Sequence, residues 1–172
     1  MATPILIDTD MGIDDALAVC LALASDDLDV RAIVSVGGNV ERAQVDKNIA
    51  GLLKALNPPS QPVCGKGLDA SSESSHRRNI FGKDGFGDCG VSSNITSAAD
   101  FRDVYRSAIE EAQGELVILA TGPLTNLAAM VAEMPDHVPT IKRICVSGGA
   151  VWAAGNATRT AEFNFHCDPA AA

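Results

Sequence analysis

Short apolar runs alternate with longer amphipathic stretches along most of the chain, and each run ends in glycine, asparagine or acidic residues. Residues 5–7 read as a buried parallel strand, and the apolar stretch from Ala16 to Ala24 as a helix packed on it. Residues 29–36 form a second expected strand, ending in Gly37-Gly38-Asn39. A helix is expected from about Glu41 to Leu56, because Val45, Ile49, Leu52, Leu53 and Leu56 share one face, and Asn57-Pro58-Pro59 stops it. Residues 62–65 make a short third strand. This strand and helix order implies right-handed crossovers and an α/β fold, a mostly parallel open sheet with helices on both faces and a Rossmann-like core.

From Lys66 to Ala98 the pattern turns polar and rich in glycine and serine. A segment this long within a compact domain reads as a functional lid hinged on its glycines, or else as a plain solvated connection. Regular structure resumes with a helix over about residues 99–113 and a strand over 115–120, followed by Thr121-Gly122-Pro123-Leu124-Thr125-Asn126. Pro123 suits the first turn of a helix running through Leu127 to Met134. Residues 141–146 are the next strand, ending in Ser147-Gly148-Gly149, and Asp168-Pro169 looks like a helix start. With no internal repeat and no linker, residues 1–172 read as a single domain.

Composition narrows the function classes. A 172-residue chain that is 47% hydrophobic can bury a sizeable core. Its formal net charge of −9 argues against nucleic acid or an anionic membrane as partner. There is no long apolar span and no basic segment leading into an apolar one at the N-terminus, so a cytoplasmic protein is expected. The five cysteines lack metal-ligand spacing and read as reduced residues.

Against this background one stretch stands out. Asp8, Asp10, Asp14 and Asp15 crowd into the residues between the first strand and its helix. That is the strand C-terminus, the edge where open α/β sheets bind ligands. Carboxylates so close together need shared protons or a cation, and hard oxygen donors suit Ca²⁺ or Mg²⁺ better than zinc. Capping a helix start would need only one or two acids. An EF-hand loop is excluded, since Gly12 and Val19 stand where it needs acids. Asp8-Thr9-Asp10 partly resembles the haloacid-dehalogenase-type phosphatases, with Asp8 as nucleophile and Asp10 as acid/base, but Gly12 departs from that pattern.

Asp8-Thr9-Asp10-Met11-Gly12-Ile13-Asp14-Asp15-Ala16 more closely resembles the signature of the calcium-dependent nucleoside hydrolases, the inosine-uridine-preferring N-ribohydrolases. The resemblance runs along the whole chain and is again specific at Thr121-Gly122-Pro123-Leu124-Thr125-Asn126 and at Ala161-Glu162-Phe163-Asn164 before Asp168-Pro169. It implies a nucleoside hydrolase-like fold that releases ribose and a free base from ribonucleosides, with Ca²⁺ as cofactor. Carried over by position, Asp10, Asp15 and the Thr121 carbonyl would bind the metal, and Asp10 would be general base for the metal-activated water. Asp14 and Asn39 would face the ribose 2′-hydroxyl side. Asn156, Glu162 and Asn164 would hold the remaining hydroxyls, Phe81 is a possible base contact, and Asp8 would order the loop from behind. The residue types suit the chemistry, because carboxylates and amide oxygens stabilise an oxocarbenium-like transition state.

Three departures qualify the match. Phe81 stands where several members carry a histidine near the base, and Ser147 replaces a methionine that often precedes the two glycines. Family chains also continue beyond the position of Ala172, with a further metal-binding aspartate and, in many, a neighbouring histidine that protonates the leaving base. The expectation is therefore an N-terminal portion of such an enzyme, truncated at the C-terminus and homo-oligomeric in its full-length form. The competing readings are a Mg²⁺-dependent phosphohydrolase and a non-catalytic calcium- or ribose-binding fragment.

Overall fold

A computed structural model of the chain describes residues 1–70, 78–94 and 98–172. Strand β1 (Thr3–Thr9) leads into helix α1 (Ile13–Ala24), β2 (Leu28–Ser35) into α2 (Arg42–Leu56), and β3 (Val63–Lys66) into a polar segment holding the short α3 (Arg78–Phe81). Then come β4 (Ala99–Asp100), α4 (Phe101–Ala112), β5 (Val117–Ala120), α5 (Thr125–Glu133), a 3-10 turn (Pro135–Thr140), β6 (Arg143–Val146) and α6 (Phe163–Cys167).

The strands form one sheet in the order β4-β3-β2-β1-β5-β6, and every neighbouring pair is parallel. The expected open parallel sheet is thus what the chain forms. Strand order runs outward from β1 in one direction through β4 and restarts on its other side at β5. A topological switch point therefore lies between the C-terminal ends of β1 and β5, where diverging loops leave a crevice.

Period-two alternation in β1 supplies both faces of the sheet. Ile5 and Ile7 pack with Val19 of α1 and with Val45 and Ile49 of α2. Leu6, between them, packs on the opposite face with Phe101 and Tyr105 of α4 and Met130 of α5. A fully buried aliphatic side chain of this kind contributes about 1.5–3 kcal/mol, so β1 is anchored from both sides before any polar group is considered. Among the described residues no helix is long and apolar enough to cross a membrane.

Differences from the sequence-based expectations lie at element ends. Helix α4 begins at Phe101 rather than near Ala99, because Asp100 accepts a hydrogen bond from Arg102 N and caps it. Ala99 and Asp100 instead pair with Gly65 and Lys66. Helix α5 begins at Thr125, two residues beyond Pro123. Helix α6, which has too few residues for a periodic signal, is started by Glu162, whose carboxylate accepts from Asn164 N and Phe165 N. At Asp168, expected as a helix start, the chain forms a turn, with Ala171 N and Ala172 N both donating to its carbonyl. The segment expected as a lid, residues 66–98, lies partly outside the described residues, namely at 71–77 and 95–97. Of the remainder, Phe86 is buried against the α1/α2 core, and the Asp84 and Asp88 carboxylates accept from main-chain N–H groups of the same turn.

Candidate functional site

The site is built from the end of β1 outward. Thr9 Oγ1 accepts from Met11 N at 3.0 Å, and Met11 takes a left-handed backbone (φ 40°), which ends the strand abruptly. Three residues into α1, the Asp15 carboxylate turns back to accept from Gly12 N at 2.7 Å. This anchors the helix start and moves it to Ile13, ahead of the apolar run. The loop after β2 reaches over the same point, and Asn39 N donates to Asp10 Oδ2 at 2.8 Å. Close approach is obligatory here. A Cβ on Gly38 would lie 2.3 Å from Asp10 Oδ2, and one on Gly122 would lie 2.9 Å from Asp10 N.

These loops enclose a cavity of about 310 Å³ at the switch point. Asp10, Asp14 and Asp15 line it from the acidic loop, Asn39 from the loop after β2, and Phe81 from α3. Thr121, after β5, lines it with Asn156, Glu162 and Asn164 from the far end of the chain. Every residue expected to touch metal or substrate is thus brought together, although they span residues 10–164 of the sequence. Ser147, Ala18 and Phe163 complete the lining.

Among the described residues, the cavity lining holds four carboxyl groups and no lysine, arginine or histidine. Burial raises the Asp10 pKa well above the ordinary carboxylate value, and the neighbouring Asp15 raises it further. Burial raises Asp15 as well, partly offset by the hydrogen bonds from Gly12 and Thr121. No cluster of three or more histidine, cysteine, aspartate or glutamate side chains arranged for a metal occurs among the described residues. The donors that do fit are two buried, mutually repelling carboxylates. Such a pair must hold a proton or meet a cation, and its hard oxygens match a hard divalent ion.

On the other wall the polar groups are already committed to architecture. Asn164 Nδ2 donates to both Thr121 O and Ser147 O at 2.8 Å, bridging the ends of β5 and β6. Both amide hydrogens are used, so Asn164 can meet a ligand only through Oδ1. Glu162 accepts from Asn164 N at 3.0 Å, Gly149 N at 3.1 Å and Phe165 N at 3.2 Å. Asn156 Oδ1 accepts from Phe163 N at 2.8 Å.

Asp8 lies outside the cavity. Its Oδ2 accepts from the Tyr105 hydroxyl at 2.7 Å and from Asn126 Nδ2 at 2.9 Å. Burial raises its pKa to about 7 against the lowering effect of those two bonds. A buried, doubly bonded carboxyl has no open face for a phosphoryl group, which removes the nucleophile that the phosphatase reading requires. The sequence reading missed Tyr105 and Asn126. Asn126 falls within a stretch already singled out, whereas Tyr105 is 97 residues from Asp8 and carries no local signal.

A family model described as inosine-uridine preferring nucleoside hydrolase matches residues 5–172. The pyrimidine-specific ribonucleoside hydrolase RihA of Salmonella enteritidis PT4 (strain P125109) is 36% identical over 179 residues, an alignment that takes in 100% of this chain and 56% of the relative. Among solved structures, a plant nucleoside hydrolase (PpNRh1) is 34% identical with a TM-score of 0.86, covering 99% of this chain and 55% of its own. A purine-preferring ribonucleoside hydrolase from Gardnerella vaginalis is 30% identical with a TM-score of 0.89, covering 98% and 56% respectively. The chain thus spans little more than half the length of the relatives it matches.

Proposed function

Because the chain belongs to the inosine-uridine preferring nucleoside hydrolase family, we propose that its cavity binds a ribonucleoside and takes part in hydrolysing the N-glycosidic bond to ribose and free base. The observation that carries this reading is the convergence of Asp10, Asp14, Asp15, Asn39, Thr121, Asn156, Glu162 and Asn164 on one cavity at the switch point. We read residues 1–172 as a single domain that presents this wall.

Asp10, Asp15 and the Thr121 carbonyl are the groups that would hold the metal, assigned here as Ca²⁺. When bound, the ion supplies positive charge that neutralises the carboxylate pair and makes a neighbouring water more acidic. Asp10 is the general base, accepting the proton of the attacking water while Asn39 N holds its Oδ2 in place. Asp14 and Asn39 face the 2′-hydroxyl side of the ribose. Asn156, Glu162 and Asn164 hold the remaining hydroxyls, with Asn164 Oδ1 and spare Glu162 lone pairs as acceptors. The carboxylates and amide oxygens of the lining stabilise the developing ribosyl cation. Phe81, which also lines the cavity, offers an aromatic ring to the departing base and excludes water.

The reading is tested by assaying reducing-sugar release from uridine and inosine in millimolar Ca²⁺, with a phosphomonoester as control substrate. Sugar release that is lost in Asp10→Ala supports it. Phosphate release without sugar release would replace it with a phosphatase.

A further inference from the structure

Beneath the cavity, one side chain ties together four strand ends. Asn126 stands in the first turn of α5, directly after β5, and is fully buried. Its Nδ2 donates to Asp8 Oδ2 in β1 and to Ser35 O at the end of β2, each at 2.9 Å. Its Oδ1 accepts from Leu68 N, just beyond β3, at 2.8 Å. A carboxamide has two N–H donors and one carbonyl oxygen, and here each goes to a different strand. The backbone passes so close that a Cβ on Gly67 would lie 2.3 Å from Asn126 Nδ2.

The three bonds connect both sides of the site. Asp8 is two residues before Asp10, and its carbonyl accepts from Thr121 N at 2.8 Å. Leu68 begins the segment that runs on to Phe81, and its carbonyl accepts from Gly37 N at 2.9 Å, next to the Gly38-Asn39 loop that covers Asp10. Moving Asn126 would therefore shift the acidic loop, the Asn39 loop and the start of the Phe81 segment relative to one another. A side chain serving only the stability of α5 would need none of these partners.

We propose that Asn126 is a positioning residue for the cation-holding end of the site, fixing Asp10 through Asp8 and setting its distance from the Leu68 segment. The proposal rests on the reading of Asp10 and Asp15 as the cation-holding pair. Asn126→Asp is the informative variant, because it keeps the shape but places an oxygen against Asp8 Oδ2 and Ser35 O where both donors stood. Asn48→Ala is the control. Asn48 is equally buried, but its Nδ2 donates to Asp84 O at 2.8 Å, away from the acidic loop.

Calorimetric Ca²⁺ titration of the native chain and these variants tests the role. Loss of a side chain that orients a metal ligand typically weakens binding about 10- to 100-fold, and that is the expectation for Asn126→Asp and Asn126→Ala. Asn48→Ala should lower the melting temperature and leave Ca²⁺ affinity unchanged. Native-like affinity in a folded Asn126 variant, or equal weakening in Asn48→Ala, overturns the positioning role alone. Absence of Ca²⁺ binding by the native chain overturns the site reading and this role with it. Should the Asn126 variants fail to fold, NMR of the native chain decides. The Asn126 side-chain amide should exchange slowly and shift in step with the Gly12 and Asn39 amides as Ca²⁺ is added, and an unresponsive amide overturns the proposal.

Discussion

Two polar hollows open at opposite ends of the sheet, and charge balance rather than size tells them apart. The one at the N-terminal ends of β2 and β3 measures about 380 Å³ and is lined in part by Asp29, Arg31, Asp103 and Glu111. The one at the switch point is smaller, about 310 Å³. In the first, Arg31 stands 2.5 Å from Asp29 and 3.7 Å from Glu111, in partly exposed ion pairs that water already screens. In the second, Asp10 and Asp15 are buried beside each other, and among the described residues no basic side chain lines the hollow. A solvated, paired cluster is an ordinary surface. Buried carboxylates that repel each other are costly and call for a proton or a ligand, and here they lie at the edge where parallel sheets bind one.

The largest effect expected at the acidic end is from Asp10→Ala. It removes a cation-holding group and the general base together, and should abolish Ca²⁺ binding by calorimetry along with any sugar release. Retained affinity would show that Asp10 and Asp15 are a proton-sharing pair and nothing more. Asp8→Ala should weaken binding less, since Asp8 acts through loop order.

The same end governs pH dependence without metal. Asp8, Asp10 and Asp15 all have native pKa values raised above 3.8, Asp8 to about 7. Above pH 3.8 the unfolded chain releases protons that the native state still holds, so the native state binds more protons and its stability falls as pH rises. Melting temperature in chelator should therefore decline from near pH 4 toward pH 7. Asp8→Asn should flatten the part that ends near pH 7, and Ca²⁺ should flatten the part due to Asp10 and Asp15. An unchanged slope in Asp8→Asn would refute the assignment.

Phe81→Ala sharpens the comparison from the substrate side. Aromatic contacts contribute about 0.5–1.5 kcal/mol beyond burial, so KM for nucleosides should rise about 2- to 12-fold with melting temperature nearly constant. A large loss of melting temperature with normal kinetics would make Phe81 an anchor of its segment. The smallest effect belongs to the opposite hollow. Arg31→Ala should change stability by about 0–1 kcal/mol and leave Ca²⁺ affinity untouched. A drop in affinity there would mean that the two ends communicate through β2.

How much of this was legible beforehand follows from the range of each signal. The order of strands and helices was readable because buried parallel strands are short apolar runs and α2 and α4 carry a one-sided apolar pattern. Their limits were less so. Asp100 and Glu162 set the starts of α4 and α6 by side-chain capping, which competes with apolar periodicity and outweighs it locally. The acidic loop was legible because its residues are contiguous, and the roles at Asn39, Thr121, Asn156, Glu162 and Asn164 followed from the family resemblance rather than from any local pattern.

By itself, then, the sequence determined that this is a parallel α/β chain with an acidic loop at the end of its first strand, since hydrophobic period and local charge density are properties of neighbouring residues. Tertiary structure alone decided that β5 lies beside β1, which creates the switch-point crevice and brings Thr121 to Asp10. It also decided that Asp8 turns away from that crevice toward Tyr105 and Asn126 while Asp10 and Asp15 face into it. Carboxylates a few residues apart are alike in sequence. Burial and hydrogen-bond partners separate them, and both are set by residues up to 118 positions away that only the folded sheet brings within reach.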